Sequence, residues 1–163
     1  MRANAVGKMC SEVDSSYIAG FLDADGAIMA SIEPHLGKRF GFRVRVEVKI
    51  TQRDRGILDW IQSVLGVGIV RANRLSSDRQ TFDLHIRDTE QVRFVIEMLS
   101  PYLHVKSEQA RIALKILDSP VESKEDLIKN AELADALSRF NVRSKNRRKN
   151  FVTKIQEHIS PND

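Results

Sequence analysis

Apolar and polar positions alternate most regularly over residues 42–51. Phe42, Val44, Val46, Val48 and Ile50 occupy one side of the period-two pattern; Arg43, Arg45, Glu47, Lys49 and Thr51 occupy the other. This predicts a strand with one side on a core and a row of long polar arms on the other. The same period sets Ile28, Ala30 and Ile32 against Met29, Ser31 and Glu33. Pro34, Gly37 and Gly41 mark the hairpin connection between the two strands. A second pair of strands is predicted at residues 69–74 and 81–87. In the latter, Phe82, Leu84 and Ile86 face one way, and Thr81, Asp83, His85 and Arg87 the other. Arg71 and Asn73 are assigned to the same polar side.

Spacings of three and four predict the helices. Residues 54–65 carry Ile57, Trp60, Ile61, Val64 and Leu65 as an apolar stripe, and Gly66 stops the run. Residues 89–100 carry Val92, Val95, Ile96 and Leu99, with Asp88 as N-cap, Gln91 at the capping-box position and Pro101 just beyond. Further helices are expected at 107–117, 124–140 and 145–159, with Ser107, Ser123 and Ser144 as candidate caps. A strand–strand–helix unit therefore occurs twice. A basic run, Arg143, Lys145, Arg147, Arg148 and Lys149, lies between the last two helices.

Composition narrows the class. The chain has 163 residues, 42% of them apolar, which suits one folded domain rather than a disordered chain. Residues 14–118 are expected to form the core and 119–163 the C-terminal helices with the basic segment; residues 1–13 are expected to be flexible. Cys10 is the single cysteine, so no disulfide forms within one chain, and an intracellular site, cytoplasmic or organellar, is the natural reading. Residues 1–16 lack the apolar core of a signal peptide, and no run is long enough to span a bilayer. The net charge of +4 is modest for a nucleic-acid binder, so the distribution of cations says more than their sum. His35, His85, His104 and His158 have no metal-ligand spacing, and no glycine-rich phosphate loop or Ser-His-Asp arrangement is present.

One stretch carries chemistry: Tyr17-Ile18-Ala19-Gly20-Phe21-Leu22-Asp23-Ala24-Asp25-Gly26. Ile18, Phe21 and Leu22 suit a buried helix face. Ala19 and Gly20 are small enough for another backbone to approach. Asp23 and Asp25 stand at the helix end, where an acid is disfavoured by about 0.3–1 kcal/mol unless a cation reverses the sign. By itself the tetrapeptide also suits an Asp-rich turn closed by a left-handed glycine. Taken together, Ala19 to Gly26 resemble the signature of the LAGLIDADG homing endonucleases.

That resemblance implies an α+β fold. It is an αββαββα core over Ser16 to Leu117, with a saddle-shaped antiparallel β-sheet lying along the DNA major groove and additional C-terminal helices. One copy of the motif implies a homodimer on a nearly palindromic double-stranded target. Motif helices would pack through Ile18, Ala19, Gly20 and Phe21, bringing two Asp25 carboxylates together. At about 5 Å these repel by roughly 3 kcal/mol at an effective dielectric of 20. Mg²⁺ would offset the repulsion, with Mn²⁺ or Ca²⁺ as substitutes for binding. The resemblance makes Asp25 and the Ala24 carbonyl metal ligands, Gln52 the group that positions solvent, and Lys106 the active-site lysine; Asp23 more naturally serves the helix end. Relatives carry a further basic group after the glutamine; Arg55 is the nearest candidate, with Gly56 as the alternative occupant.

The candidate DNA-binding surface is Ser31, Glu33, Lys38, Arg43, Arg45, Glu47, Lys49, Arg71, Asn73, Asp83, His85 and Arg87. Arg43, Arg45 and Lys49 suit guanine edges or phosphates, and Glu47 suits a cytosine amino group. Ser144, Lys145 and Arg148 are candidates for phosphate contacts. The activity implied is metal-dependent hydrolysis of both strands at a long target, by an intron-encoded enzyme. The alternative within the family is an RNA maturase acting on intron RNA, or a DNA-binding regulator that does not cut.

Overall fold

The most regular alternation in the sequence becomes the longest strand, and the sheet is assembled on it. In the computed structural model, residues 2–3, 9–73, 80–141 and 150–159 are described. A short hairpin, β1 (Arg2–Ala3) and β2 (Met9–Cys10), precedes α1 (Glu12–Asp25). Then follow β3 (Gly26–Pro34), β4 (Phe42–Gln52), α2 (Arg55–Leu65), β5 (Ile69–Ala72), β6 (Phe82–Ile86) and α3 (Thr89–Leu99). After a 3-10 turn at Ser100–Tyr102 come α4 (Ser107–Leu117), α5 (Lys124–Asn141) and α6 (Phe151–Ile159). The main sheet has the order β3-β4-β6-β5, with every neighbouring pair antiparallel.

Register puts the two sides of the pattern on two faces. Ile28 pairs with Val48, Ala30 with Val46, and Val48 and Ile50 with Ile86 and Leu84. All of these are buried. Each large apolar side chain removed from water contributes about 1.5–3 kcal/mol, more than an exposed ion pair on the opposite face, so burial decides which side faces in. The helices cover the apolar face: α1 on β3 and β4, α2 on β5 and β6, α3 on β4, and α4 and α5 on β3. Ile18, Leu22, Leu58, Ile61, Leu65, Ile96, Leu99 and Leu127 join the strand residues in one apolar cluster, which Phe151 and Ile155 of α6 extend. No helix among the described residues is placed on the polar face. Among the described residues no helix is long and apolar enough to cross a membrane.

Several boundaries differ from the sequence expectation. Ser11 caps α1 by accepting from the Asp14 N–H, so Val13 lies inside the helix rather than in a flexible opening, and the Cys10 side chain is buried against Ser15. Leu58, rather than Ile57, Trp60 or Val64, lies fully inside α2; the other three are half-buried. Ser107 is the first helical residue of α4, not its cap, and Lys106 takes the cap position. Ser123 does cap α5: its hydroxyl accepts from the Asp126 N–H while Asp126 accepts from the Ser123 N–H. In α6 the first two N–H groups donate to the buried Asp135, at 2.7 and 3.2 Å, so this helix is capped from α5. Residues 74–79 and the basic run with Ser144 lie outside the described residues.

The junction between α1 and β3 has no loop. Gly26 closes the helix by donating its N–H to Leu22 O and is already the first strand residue. Its φ of −96° is open to any residue, so it is not the left-handed stop that the Asp-rich turn would require. Glycine is needed here for space. A Cβ would press on Leu22 Cδ1 and come within 2.8 Å of Leu22 O and 2.9 Å of Leu22 Cα. Gly66, by contrast, ends α2 with φ at 69°, where glycine avoids the Cβ penalty. Gly26→Ala is expected to lower unfolding stability by about 1–3 kcal/mol, read by chemical denaturation, because backbone must move to admit the methyl group. An unchanged midpoint would show that the junction yields without strain.

Candidate nucleic-acid interface

Register places the acidic end of α1 beside the end of β4. Gly26 lies opposite Ile50, so Gln52 overhangs towards Asp25. Gln52 Nε2 donates to Asp25 Oδ2 at 2.5 Å and, among the described residues, is that carboxylate's one hydrogen-bond partner. Ala24 and Asp25 are both exposed.

Asp23 faces the other way and has a different role. Its carboxylate accepts the backbone N–H groups of His104, Val105 and Lys106 at 2.8, 3.1 and 2.9 Å. Burial pushes its acidity down, but those three donors and the Lys106 ammonium outweigh burial, leaving its pKa below the ordinary 3.8. Lys106 answers in return: its Nζ donates to the Asp23 backbone carbonyl, and the residue is only 9% exposed. A cation thus meets the negative end of α1, which offsets the repulsion anticipated from two acids there. The sequence assigned Asp23 to the helix end, and it also anchors the segment before α4. Lys106 is brought to the acidic centre, where its ammonium donates to the α1 carbonyl at Asp23. Arg55 pairs with Asp59 at 3.1 Å within α2 and lies near the Phe82 ring of β6.

Above this centre spreads the polar sheet face. Its strand and flanking positions carry Arg43, Arg45, Lys49, Arg71 and Arg87 against Glu33, Glu47 and Asp83, so cations are in excess. Arg71 stands opposite Asp83, which places β5's polar side where the alternation predicted it. Arg45 pairs with Glu33 at 3.7 Å, Ser31 donates to Glu33, and Arg43 meets His35. Arg71, Asn73 and Lys38 are exposed. Glu47 has one of its two carboxylate oxygens engaged. Its Oε2 is occupied by His85 at 2.9 Å and Arg87 at 2.8 Å, and burial notwithstanding, these two partners keep its pKa below the usual range. Ser144, Lys145 and Arg148 fall outside the described residues.

The expected dimer surface also needs correction. Ile18 and Ala19 are 0% exposed and belong to this chain's own core. The outward stripe of α1 is Val13, Ser16, Tyr17, Gly20 and Ala24, with Val13 76% and Tyr17 52% exposed. Phe21 is half-buried and stacks edge-on with Tyr17, which also meets Trp60. The stripe's spacing of three and four was legible once the helix was extended back to Glu12.

The donors at the acidic end are hard oxygens: the Asp25 carboxylate and the exposed Ala24 peptide. They suit Mg²⁺ or Ca²⁺, not a soft metal. Among the described residues no group of three or more His, Cys, Asp or Glu could hold an ion.

Asp23 yields a pH test. Its pKa is lowered in the folded state, so its stabilisation is complete above the unfolded value near 3.8 and is lost as pH falls through the folded value. Asp23→Asn is expected to be less stable than the parent by about 1–3 kcal/mol at pH 7, with the gap closing below about pH 4. Parallel melts across pH measure this; a gap that persists at the acid end would contradict it.

Comparison with known proteins agrees with this architecture. The family model described as LAGLIDADG endonuclease matches residues 18–115. DNA endonuclease I-CreI from Chlamydomonas reinhardtii is 32% identical over 111 residues, which cover 67% of this chain and 65% of that protein. DNA endonuclease I-CvuI from Chlorella vulgaris is 34% identical over 125 residues, 74% of each. The matched segment therefore spans just under two thirds of the Chlamydomonas protein. Crystal structures of I-CvuI align over 91% of this chain with a TM-score of 0.77 at 27% identity, in complex with the I-CreI target and Mg, and over 89% with a TM-score of 0.76 at 28% identity, in complex with its own target and Ca. The chain belongs to the LAGLIDADG endonuclease family.

Proposed function

We propose that this protein is a site-specific, intron-encoded homing endonuclease that hydrolyses both strands of a long, nearly palindromic DNA target as a homodimer. The observation that carries the reading is the placement of Asp25. It is an exposed carboxylate at the end of α1, hydrogen-bonded to Gln52, at the margin of a cation-rich sheet face that no helix covers. A two-stranded ribbon fits a major groove about 12 Å wide, and its long arms reach base edges and phosphates.

Pairing of two copies is supported by Gly20. A Cβ there would meet nothing within 4 Å, so this chain's own packing gives no reason for glycine. Inside a helix glycine costs about 1 kcal/mol relative to alanine. Close approach of a second α1 across Val13, Ser16, Tyr17 and Gly20 supplies the reason, and Phe21 stiffens the rim through Tyr17. That approach brings two Asp25 groups together.

Asp25 and the Ala24 carbonyl would hold Mg²⁺, with Mn²⁺ or Ca²⁺ as substitutes for binding. A divalent ion supplies charge stabilisation at phosphate and a more acidic water. The chain's own groups do the positioning. Gln52 orients the Asp25 carboxylate and a neighbouring water. Lys106 offsets the negative end of α1 through the Asp23 carbonyl and holds that terminus in place. Ser144, Lys145 and Arg148 add phosphate contacts.

Cleavage of plasmid libraries with Mg²⁺ tests the reading. The parent is expected to cut at one recurrent sequence. Asp25→Asn is expected to lose at least about 10³-fold in rate while retaining duplex binding in Ca²⁺, and Gln52→Ala to lose about 10- to 100-fold. Folded parent protein that cuts nothing, or an Asp25→Asn variant that cuts as fast, would overturn it.

A further inference from the structure

Two carboxylates sit low in the polar sheet face. The Glu47 side chain is 14% exposed and that of Asp83 16%. Each collects donors from neighbouring strands. Glu47 Oε2 accepts from His85 Nε2 and Arg87 Nε. Asp83 Oδ1 accepts from Thr51 Oγ1 at 2.6 Å and Asn73 Nδ2 at 3.2 Å, and its Oδ2 from Lys49 Nζ at 3.4 Å. Both oxygens of Asp83 are engaged, and Glu47 holds two donors on Oε2, so each carboxylate fixes the polar groups in front of it. These donors remain available for a base. Arg87 uses only Nε, which leaves both Nη groups; His85 keeps Nδ1; Asn73 keeps its carbonyl oxygen.

We infer that Glu47 and Asp83 are positioning residues for target preference: Glu47 presents Arg87 and His85 to base edges in one orientation, and Asp83 presents Lys49 and Asn73. This rests on the proposed DNA-reading role of the face. Long cationic arms that swing freely contact phosphates of any sequence, whereas arms held from behind keep the geometry that base edges discriminate. The two clusters occupy different places along β4. Asp83 lies opposite Thr51, next to Gln52 and the acidic centre, and Glu47 lies four residues back. At about 3.4 Å per residue the separation is about 13 Å. That corresponds to up to about four base-pair steps.

Selection of bound duplexes from a randomised library, in Ca²⁺, tests the inference with the full chain. Glu47→Gln and Arg87→Ala are expected to lose about five-fold or more of the preference at one shared set of base pairs. Asp83→Asn is expected to lose it at a second set, nearer the cut; affinity for random duplex stays the same or rises in the two carboxylate variants and falls in Arg87→Ala, which removes a cation. Arg87 is exposed, so its variant reports on the first cluster even where a carboxylate variant folds poorly. Parent-like preferences in Glu47→Gln would overturn the inference while the endonuclease reading stands. So would a flattening at every position accompanied by a lower melting temperature, since that marks a structural role. A parent protein with no sequence preference would overturn both.

Discussion

Asp23 and Lys106 bind the end of α1 to the start of α4 in both directions, and the site depends on that exchange. The Asp23 carboxylate takes three consecutive backbone N–H groups, and the Lys106 ammonium takes the Asp23 carbonyl. Each half answers a local deficit. The segment before α4 has donors with no helical partner, and the last turn of α1 carries negative charge with no basic residue of its own. With Asp23 engaged, Asp25 is left exposed two residues on, held by Gln52 alone among the described residues. Two aspartates in one tetrapeptide thus divide into a structural anchor and a group available for chemistry.

The glycine at 26 makes this division effective. The chain passes from helix to strand without a loop, so Asp25 is fixed relative to both α1 and the sheet. Gln52 reaches it because the β3–β4 register ends two residues short of it. The same register spreads the polar arms of β4, β5 and β6 over a face that the helices leave open. Placement of the acid and placement of the polar face are consequences of one strand pairing.

Much of this was legible because burial imposes periodicity. Val46, Val48 and Ile50 must face a core, and their neighbours are then forced outward as a cationic row. The cap at Asp88 was readable for the same local reason, a short acceptor before free N–H groups, whereas Asp54, placed inside its helix by periodicity, is the cap of α2. Long-range choices were less legible. Ala19 and Gly20 look equivalent in sequence, but one residue turns a helix by about 100°, so Ala19 enters the core and Gly20 faces out. Reading α1 from Tyr17 instead of Glu12 hid the stripe that would have separated them. Glu47 and Asp83 look like surface acids until their partners on β4, β6 and the segments after β5 and β6 are known. Lys106 reads as an active-site lysine by resemblance, but its tie to the Asp23 carbonyl, 83 residues away in sequence, has no local signal.

The central claim is that the acidic end of α1 is half of a centre completed by a second copy of the chain. Oxidative cross-linking of Gly20→Cys tests it directly, since the native Cys10 is buried and 3% exposed. The account predicts rapid disulfide-linked dimers at micromolar protein, faster still on a cleavable duplex. A Gly20→Cys protein whose new thiol is readily labelled, yet which forms no linked dimer with or without DNA, would contradict it.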